Sequence, residues 1–163
     1  MSLPQSDKPA NLAIERHVDP RAIAMVKQFE GCRLKAYPDP ATGGVPWTIG
    51  YGCCGPDIRP GLVWTQAEAD AHLTERLGAT WAGVAHLCAG RHTTPAQLSA
   101  MTSLAFNIGL GALAGSTLLV MHRAGDFANA ALQFARWNRG GGIAMPGLTR
   151  RRAVEAKLYQ ETA

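Results

Sequence analysis

The feature that most constrains this chain is the stretch from Thr93 to Met121, which carries no charged side chain. A segment of that length raises two readings, a membrane span or a buried core helix. Pro95, Gln97 and Asn107 interrupt it, and the glycines between Gly109 and Gly115 divide it into two helical pieces, so it reads as a buried core helix, a turn and a second helix rather than a membrane span. Thr94-Pro95-Ala96-Gln97 opens the first piece as a capping box with Pro at the first helical position. Leu98, Met101, Leu104 and Ala105 then recur at core-helix spacing up to Gly109.

Helical signals continue on both sides. Thr65-Gln66-Ala67-Glu68 is a second capping box, and Ala71, Leu73, Leu77 and Trp81 supply apolar contacts along a long helix ending near Gly90. Ser116 opens a short helix stopped by Gly125, and Asp126 caps another in which Phe127, Ala130, Ala131, Phe134 and Trp137 share a face until Gly140-Gly141-Gly142. A last helix is expected from about Thr149 to Gln160. The chain of 163 residues is long enough for one domain with a real core. Met1 to Val18 reads as a tail without an apolar run fit for a signal peptide or anchor. Residues 19–163 then form a single α+β, mainly α domain, with a small β lobe at about 35–60 beside a helical lobe at about 65–163 and a cleft between them.

Candidate chemistry collects at that cleft. Asp19-Pro20 is a helix start, Ala22, Val26 and Phe29 recur at helical spacing, and Gly31 suits the end, so Glu30 becomes the last helical residue. There it faces the partial negative charge of the final carbonyls, which together with partial burial is expected to keep a proton on it near neutral pH. Asp39 lies in a Pro- and Gly-rich turn, Tyr37 to Pro46, where backbone amides can hold the ionised form. The segment from Val45 to Tyr51 reads as a strand that places Thr48 on the second arm of a small hairpin. A protonated carboxyl, an ionised one and a hydroxyl able to orient water are the groups that glycosidic bond cleavage requires.

These residues resemble the phage-type lysozymes, the endolysin family that includes the lysozymes of T-even and lambdoid phages. That family's signature is Glu, eight residues, Asp, five residues, Thr. Glu30 and Asp39 match the first spacing, while eight residues separate Asp39 from Thr48, so the turn is three longer. Thr48 is preferred over Thr42 because Trp47-Thr48-Ile49-Gly50-Tyr51-Gly52 is similar to the family's strand. Phe106-Asn107-Ile108-Gly109, Gly115-Ser116-Thr117-Leu118-Leu119, Arg136-Trp137, and Gly147-Leu148 with Arg151-Arg152 and Glu155 extend the likeness from about Asp19 to Tyr159.

The resemblance implies a lysozyme-like fold and a muramidase that hydrolyses the β-1,4 bond between N-acetylmuramic acid and N-acetylglucosamine, with inversion and no cofactor. Glu30 would donate the proton, Asp39 would stabilise positive charge and help activate water, and Thr48 would position that water. Tyr37, Gly50, Asn107 and Ser116 are the implied sugar contacts, Asn107 having a plain alternative as a helix-end residue. Arg151 is the implied arginine beside Glu30, with Arg150 and Arg152 as rivals and a solvated basic helix end as its alternative. A lytic transglycosylase, using one essential Glu on the same bond, and a basic wall- or nucleic-acid-binding domain are the competing readings. The resemblance further implies a monomer made in the host cytoplasm, acting on periplasmic peptidoglycan once a holin has opened the membrane, without contact between the two proteins and without nucleic acid as partner.

The formal charge of +4 favours approach to anionic polymers without choosing among them. Cys32, Cys53, Cys54 and Cys88 lack a metal-type spacing, and His86, Cys88 and His92 form no recognised site, so no metal is expected and the thiols read as free. A bridge from Cys32 to the Cys53-Cys54 pair in an oxidising space stays open at this stage.

Overall fold

The computed structural model describes residues 18–40 and 42–161. Helix α1 (Pro20–Glu30) starts on Asp19, whose side chain accepts from the Arg21 amide. It stops because Gly31 turns to φ 65°, ψ 165°, a region essentially reserved for glycine. Strands β1 (Arg33–Pro38), β2 (Trp47–Gly50) and β3 (Cys53–Cys54) follow as an antiparallel sheet in the order β1-β2-β3. Tyr37 lies opposite Thr48 and Thr48 opposite Cys54, while Ile49 lies opposite Cys53. Because side chains alternate along a strand, Tyr37, Thr48 and Cys54 share one face. Ile49, fully buried, and the partly buried Cys53 share the face toward the core.

The helical lobe begins with α2 (Gln66–Leu87) on a complete Thr65/Glu68 capping box. Helix α3 (Pro95–Ile108) starts on the matching Thr94/Gln97 box. Every residue of α3 from Ala96 to Ala105 is buried, because α1, α2 and a C-terminal helix all pack on it. This is the first half of the uncharged stretch, and its lack of an exposed face explains why charge is missing on all sides of this helix. Short helices α4 (Leu110–Ala114), α5 (Thr117–Ala124, capped by Ser116 and ended by left-handed Gly125) and α6 (Phe127–Gln133, capped by Asp126) wrap the core. A 3-10 turn (Phe134–Trp137) leads to a two-residue hairpin of β4 (Arg139–Gly140) and β5 (Ile143–Ala144), and α7 (Pro146–Tyr159) closes the chain. Among the described residues no helix is long and apolar enough to cross a membrane.

Several boundaries differ from the sequence reading. The Gly109 to Gly115 turn holds the helix α4, since the five residues between those glycines, Leu110 to Ala114, form one helical turn whose Leu113 is fully buried. Gly140-Gly141-Gly142 forms a hairpin, with positive φ at Gly141 and Gly142 as a tight two-residue turn requires. The last helix starts three residues before Thr149, at Pro146, whose fixed φ suits the first helical position. Val18 belongs to the core, not the tail, and the rest of the expected tail, Met1 to His17, lies outside the described residues.

Candidate active site

Glu30 ends α1 at the mouth of a buried charge cluster. Its Oε1 accepts from Arg151 Nη1 at 2.6 Å, with the Arg151 side chain 4% exposed and that of Glu30 23% exposed. Neither of the rival arginines makes this contact. Arg151 comes from the second turn of α7, and its guanidinium is fixed on every side. Nε donates to Glu155 Oε1 at 3.1 Å, Nη2 donates to the Ser103 carbonyl at 3.2 Å, and the group stands 5.6 Å over the Phe29 ring.

Glu155, fully buried one turn further along α7, organises the cluster. Its Oε1 accepts a second bond from the Ser103 hydroxyl at 2.7 Å, and its Oε2 accepts from Arg152 Nη1 at 2.5 Å. Arg152, 1% exposed, donates through Nε to the Trp137 carbonyl at 3.0 Å and through Nη2 to Asn107 Oδ1. Burial pushes the Glu155 carboxyl above the usual carboxylate range and the Arg152 guanidinium below its own, with their mutual attraction opposing both shifts. The spacing of Arg151, Arg152 and Glu155 at i, i+1 and i+4 puts one anion within reach of two cations on a single helix face. A run of three arginines looks like a solvated helix end in sequence. The signal that could have shown otherwise was Glu155 on the inner face of α7 next to Leu158 and Tyr159, which are also buried.

On the sheet side, β1 leads straight into Asp39. Its amide donates to the Gly44 carbonyl at 3.0 Å, its carbonyl accepts from the Gly43 amide at 2.8 Å, and its Oδ1 accepts from the Thr42 amide at 3.1 Å. Strand β2 enters the ladder with Trp47 opposite Pro38 and Thr48 opposite Tyr37. Thr42 is spent inside the loop between these strands, donating to the Val45 carbonyl at 3.0 Å and accepting from the Gly44 amide.

The other expected sugar contacts divide. Tyr37 is half-buried on the Thr48 face, with the Arg33 guanidinium 4.5 Å over its ring. Asn107 is exposed at the end of α3 but has its carbonyl oxygen held by Arg152. Gly50 is buried with φ 62°, and a Cβ there would come within 2.9 Å of the Trp64 ring, so close packing accounts for the glycine. Ser116 is buried, and its hydroxyl both donates to the Leu113 carbonyl at 2.7 Å and accepts from the Leu119 amide at 3.1 Å. That oxygen is committed to capping α5, although the residue borders a cavity of about 300 Å³ shared with Gln133, Arg136 and Trp137.

A family model for phage lysozyme matches residues 27–155, a span that runs from α1 through the whole charge cluster. The chain belongs to the phage lysozyme family. It is 38% identical over 143 residues to the endolysin of Bacillus phage B103, covering 88% of this chain and 54% of the relative. The chain thus spans about half the length of that curated relative. An endolysin from Acyrthosiphon pisum secondary endosymbiont phage 1 is 34% identical over 154 residues, with 88% of this chain and 98% of the relative covered. Among solved structures, the muramidase domain of SpmX from Asticaccaulis excentricus superposes with a TM-score of 0.80 at 30% identity, covering 90% of this chain and 99% of that one. The two-lobed, mainly helical arrangement with a small antiparallel sheet is accordingly the lysozyme-like fold.

The remaining groups lie apart from this cluster. All four cysteines are free thiols, Cys32 and Cys54 exposed, Cys53 half-buried and Cys88 buried. His86, Cys88 and His92 border a separate cavity of about 540 Å³ with Trp81 and Arg91, and none of its lining residues is one of the expected site residues. Among the described residues no group of three His, Cys, Asp or Glu side chains is placed to hold a metal ion.

Proposed function

We propose that this phage lysozyme homologue is an endolysin that hydrolyses the β-1,4 bond between N-acetylmuramic acid and N-acetylglucosamine in peptidoglycan. The single observation that carries this reading is Glu30 at the edge of a buried ion network, its Oε1 held by Arg151. A general acid must present its proton in one direction. With Oε1 committed to Arg151, Oε2 is the oxygen left to deliver a proton to the glycosidic oxygen as the bond to the sugar carbon breaks.

Asp39 stabilises the positive charge that develops on the sugar ring and helps activate water, and Thr48 orients that water from the neighbouring strand. Water then adds to the anomeric carbon and inversion follows, as the family resemblance implies. Tyr37 and Asn107 supply sugar contacts on the two sides of the cleft, and Arg151 serves the site through Glu30. Gly50 and Ser116 shape it through backbone and cap. No cofactor takes part. The protein acts as a monomer, is made in the host cytoplasm, and reaches the periplasmic wall after a holin opens the membrane, with no direct contact between them. Its net positive charge steers it toward the anionic wall.

Mass spectrometry of digested peptidoglycan tests the reaction. Hydrolysis leaves reducing N-acetylmuramic acid ends that carry the mass of one added water. Anhydromuramyl ends would instead establish attack by the sugar's own hydroxyl, the transglycosylase outcome, and would overturn the role given to Asp39 and Thr48.

A further inference from the structure

We propose that Asp70 is a positioning residue that sets the helix carrying Glu30 and the strand carrying Thr48 at a fixed distance from each other. The inference rests on the reading of Glu30 and Thr48 as reacting-site groups. Asp70 lies in the second turn of α2 and touches neither, but its carboxylate is the point where both supporting elements meet.

Each oxygen of that carboxylate serves a different element. Oδ2 takes the Lys27 ammonium at 2.8 Å, and Oδ1 accepts from the Tyr51 hydroxyl at 3.0 Å. Lys27 stands three residues before Glu30 in α1, one helical turn away and on the same side. Tyr51 follows the end of β2, three residues after Thr48, and is 7% exposed. Gln66, at the start of α2, donates through Nε2 to Asp70 Oδ1 at 2.8 Å and to the Tyr51 oxygen at 3.0 Å, closing the triangle. Arg76, two turns along the same helix, adds a second tie by donating to the Tyr51 carbonyl at 3.2 Å.

An ionised carboxylate, acceptor on both oxygens, suits an ammonium, a phenol and an amide at once. The hydrogen bond from Lys27, followed by that from Gln66, holds Asp70 below the usual carboxylate range. Burial, ahead of the bond to Asp70, raises the Tyr51 phenol and keeps it a donor. As a source of stability the arrangement is modest, since the Lys27 and Asp70 side chains are each about one-third exposed and such pairs contribute little. Its geometric reach is larger. Each proposed reacting group lies within one helical turn or three residues of one of its anchors, and a displacement of about 1 Å between reacting groups can cost about 100-fold in rate.

The test is steady-state kinetics on solubilised peptidoglycan with Asp70→Asn, Lys27→Met, Tyr51→Phe and Glu30→Gln, each checked by thermal unfolding. Asp70→Asn is expected to lower kcat about tenfold with KM changed less than about twofold. Lys27→Met and Tyr51→Phe are each expected to lower it about threefold, and Lys27→Met added to Asp70→Asn should cost nothing further, because the shared partner is already gone. Tyr51→Phe removes one hydroxyl and keeps the question answerable should Asp70→Asn fold poorly. A role confined to stability would lower the unfolding temperature and leave kcat of the folded enzyme intact. Wild-type kcat in Asp70→Asn and Tyr51→Phe, with Glu30→Gln inactive, would overturn the positioning role alone. Activity retained in Glu30→Gln as well would overturn the reading of the site on which it rests.

Discussion

At the residue scale, the structure turns some expected contacts into packing requirements. Gly50 combines a positive φ with the Trp64 ring at 2.9 Å from any added Cβ. Gly50→Ala is therefore expected to cost roughly 2 kcal/mol through left-handed strain and forced movement of Trp64, measured as a lower midpoint in urea. Thr102 offers the opposite case. Its hydroxyl oxygen is buried in α3 without a hydrogen-bond partner, the one such side-chain atom among the described residues. Thr102→Val keeps the shape and removes the unsatisfied group, so a gain of about 1 kcal/mol is expected, read from the same unfolding curves. Glu155→Gln should go the other way. Two buried guanidiniums would share one neutral acceptor, and breaking a buried ion pair costs about 3–5 kcal/mol. A variant as stable as wild type would show that the cluster is not what holds Arg151 in place.

At the scale of elements, His122 links three parts of the helical lobe. On α5 and fully buried, it meets the Tyr159 hydroxyl of α7 at 2.6 Å through Nδ1 and the Thr93 hydroxyl, before α3, at 2.9 Å through Nε2. Burial, assisted by Arg91 and Arg123, pushes its pKa down to about 4 from an ordinary 6.5. The unfolded chain therefore binds a proton that the folded one refuses between those values. Stability from this group is complete above pH 6.5 and is lost as pH falls toward 4, by about 3 kcal/mol in all. The raised Glu155 carboxyl acts in the reverse sense, since the folded form holds its proton to higher pH. The His122 share is thus the difference in slope between wild type and His122→Gln, in urea unfolding at a series of pH values from 4 to 7. Equal slopes would refute it.

Elements were readable where side chains close their own hydrogen bonds. Thr65 with Glu68, Thr94 with Gln97, and Asp19, Ser116 and Asp126 all state a helix start locally, and each caps the helix it announces. The β4/β5 hairpin and the early start of α7 were also written in the sequence, as Gly141-Gly142 and Pro146, but such short signals compete with plain loop readings. Helix α4 was hidden because glycines bracket five residues that become helical only when Leu113 is buried.

At the scale of the whole molecule, the uncharged stretch and the Glu30 to Thr48 segment defined the two lobes. The charge cluster behind Glu30 came from contacts far apart in the chain. Arg151 reaches Glu30 across 121 positions, and Ser103 meets Glu155 across 52. No local pattern encodes such pairs, and the three neighbouring arginines could be sorted only by which of them reaches Glu30. The most direct test of the central claim, that Glu30 is the proton donor of a wall-cleaving site, is a turbidity assay on chloroform-permeabilised Gram-negative cells, comparing wild type with Glu30→Gln. Glutamine keeps an oxygen for Arg151 but cannot release the proton, so clearing is expected to slow at least about 100-fold while the unfolding midpoint changes little. Clearing by a folded Glu30→Gln at close to the wild-type rate would contradict the account.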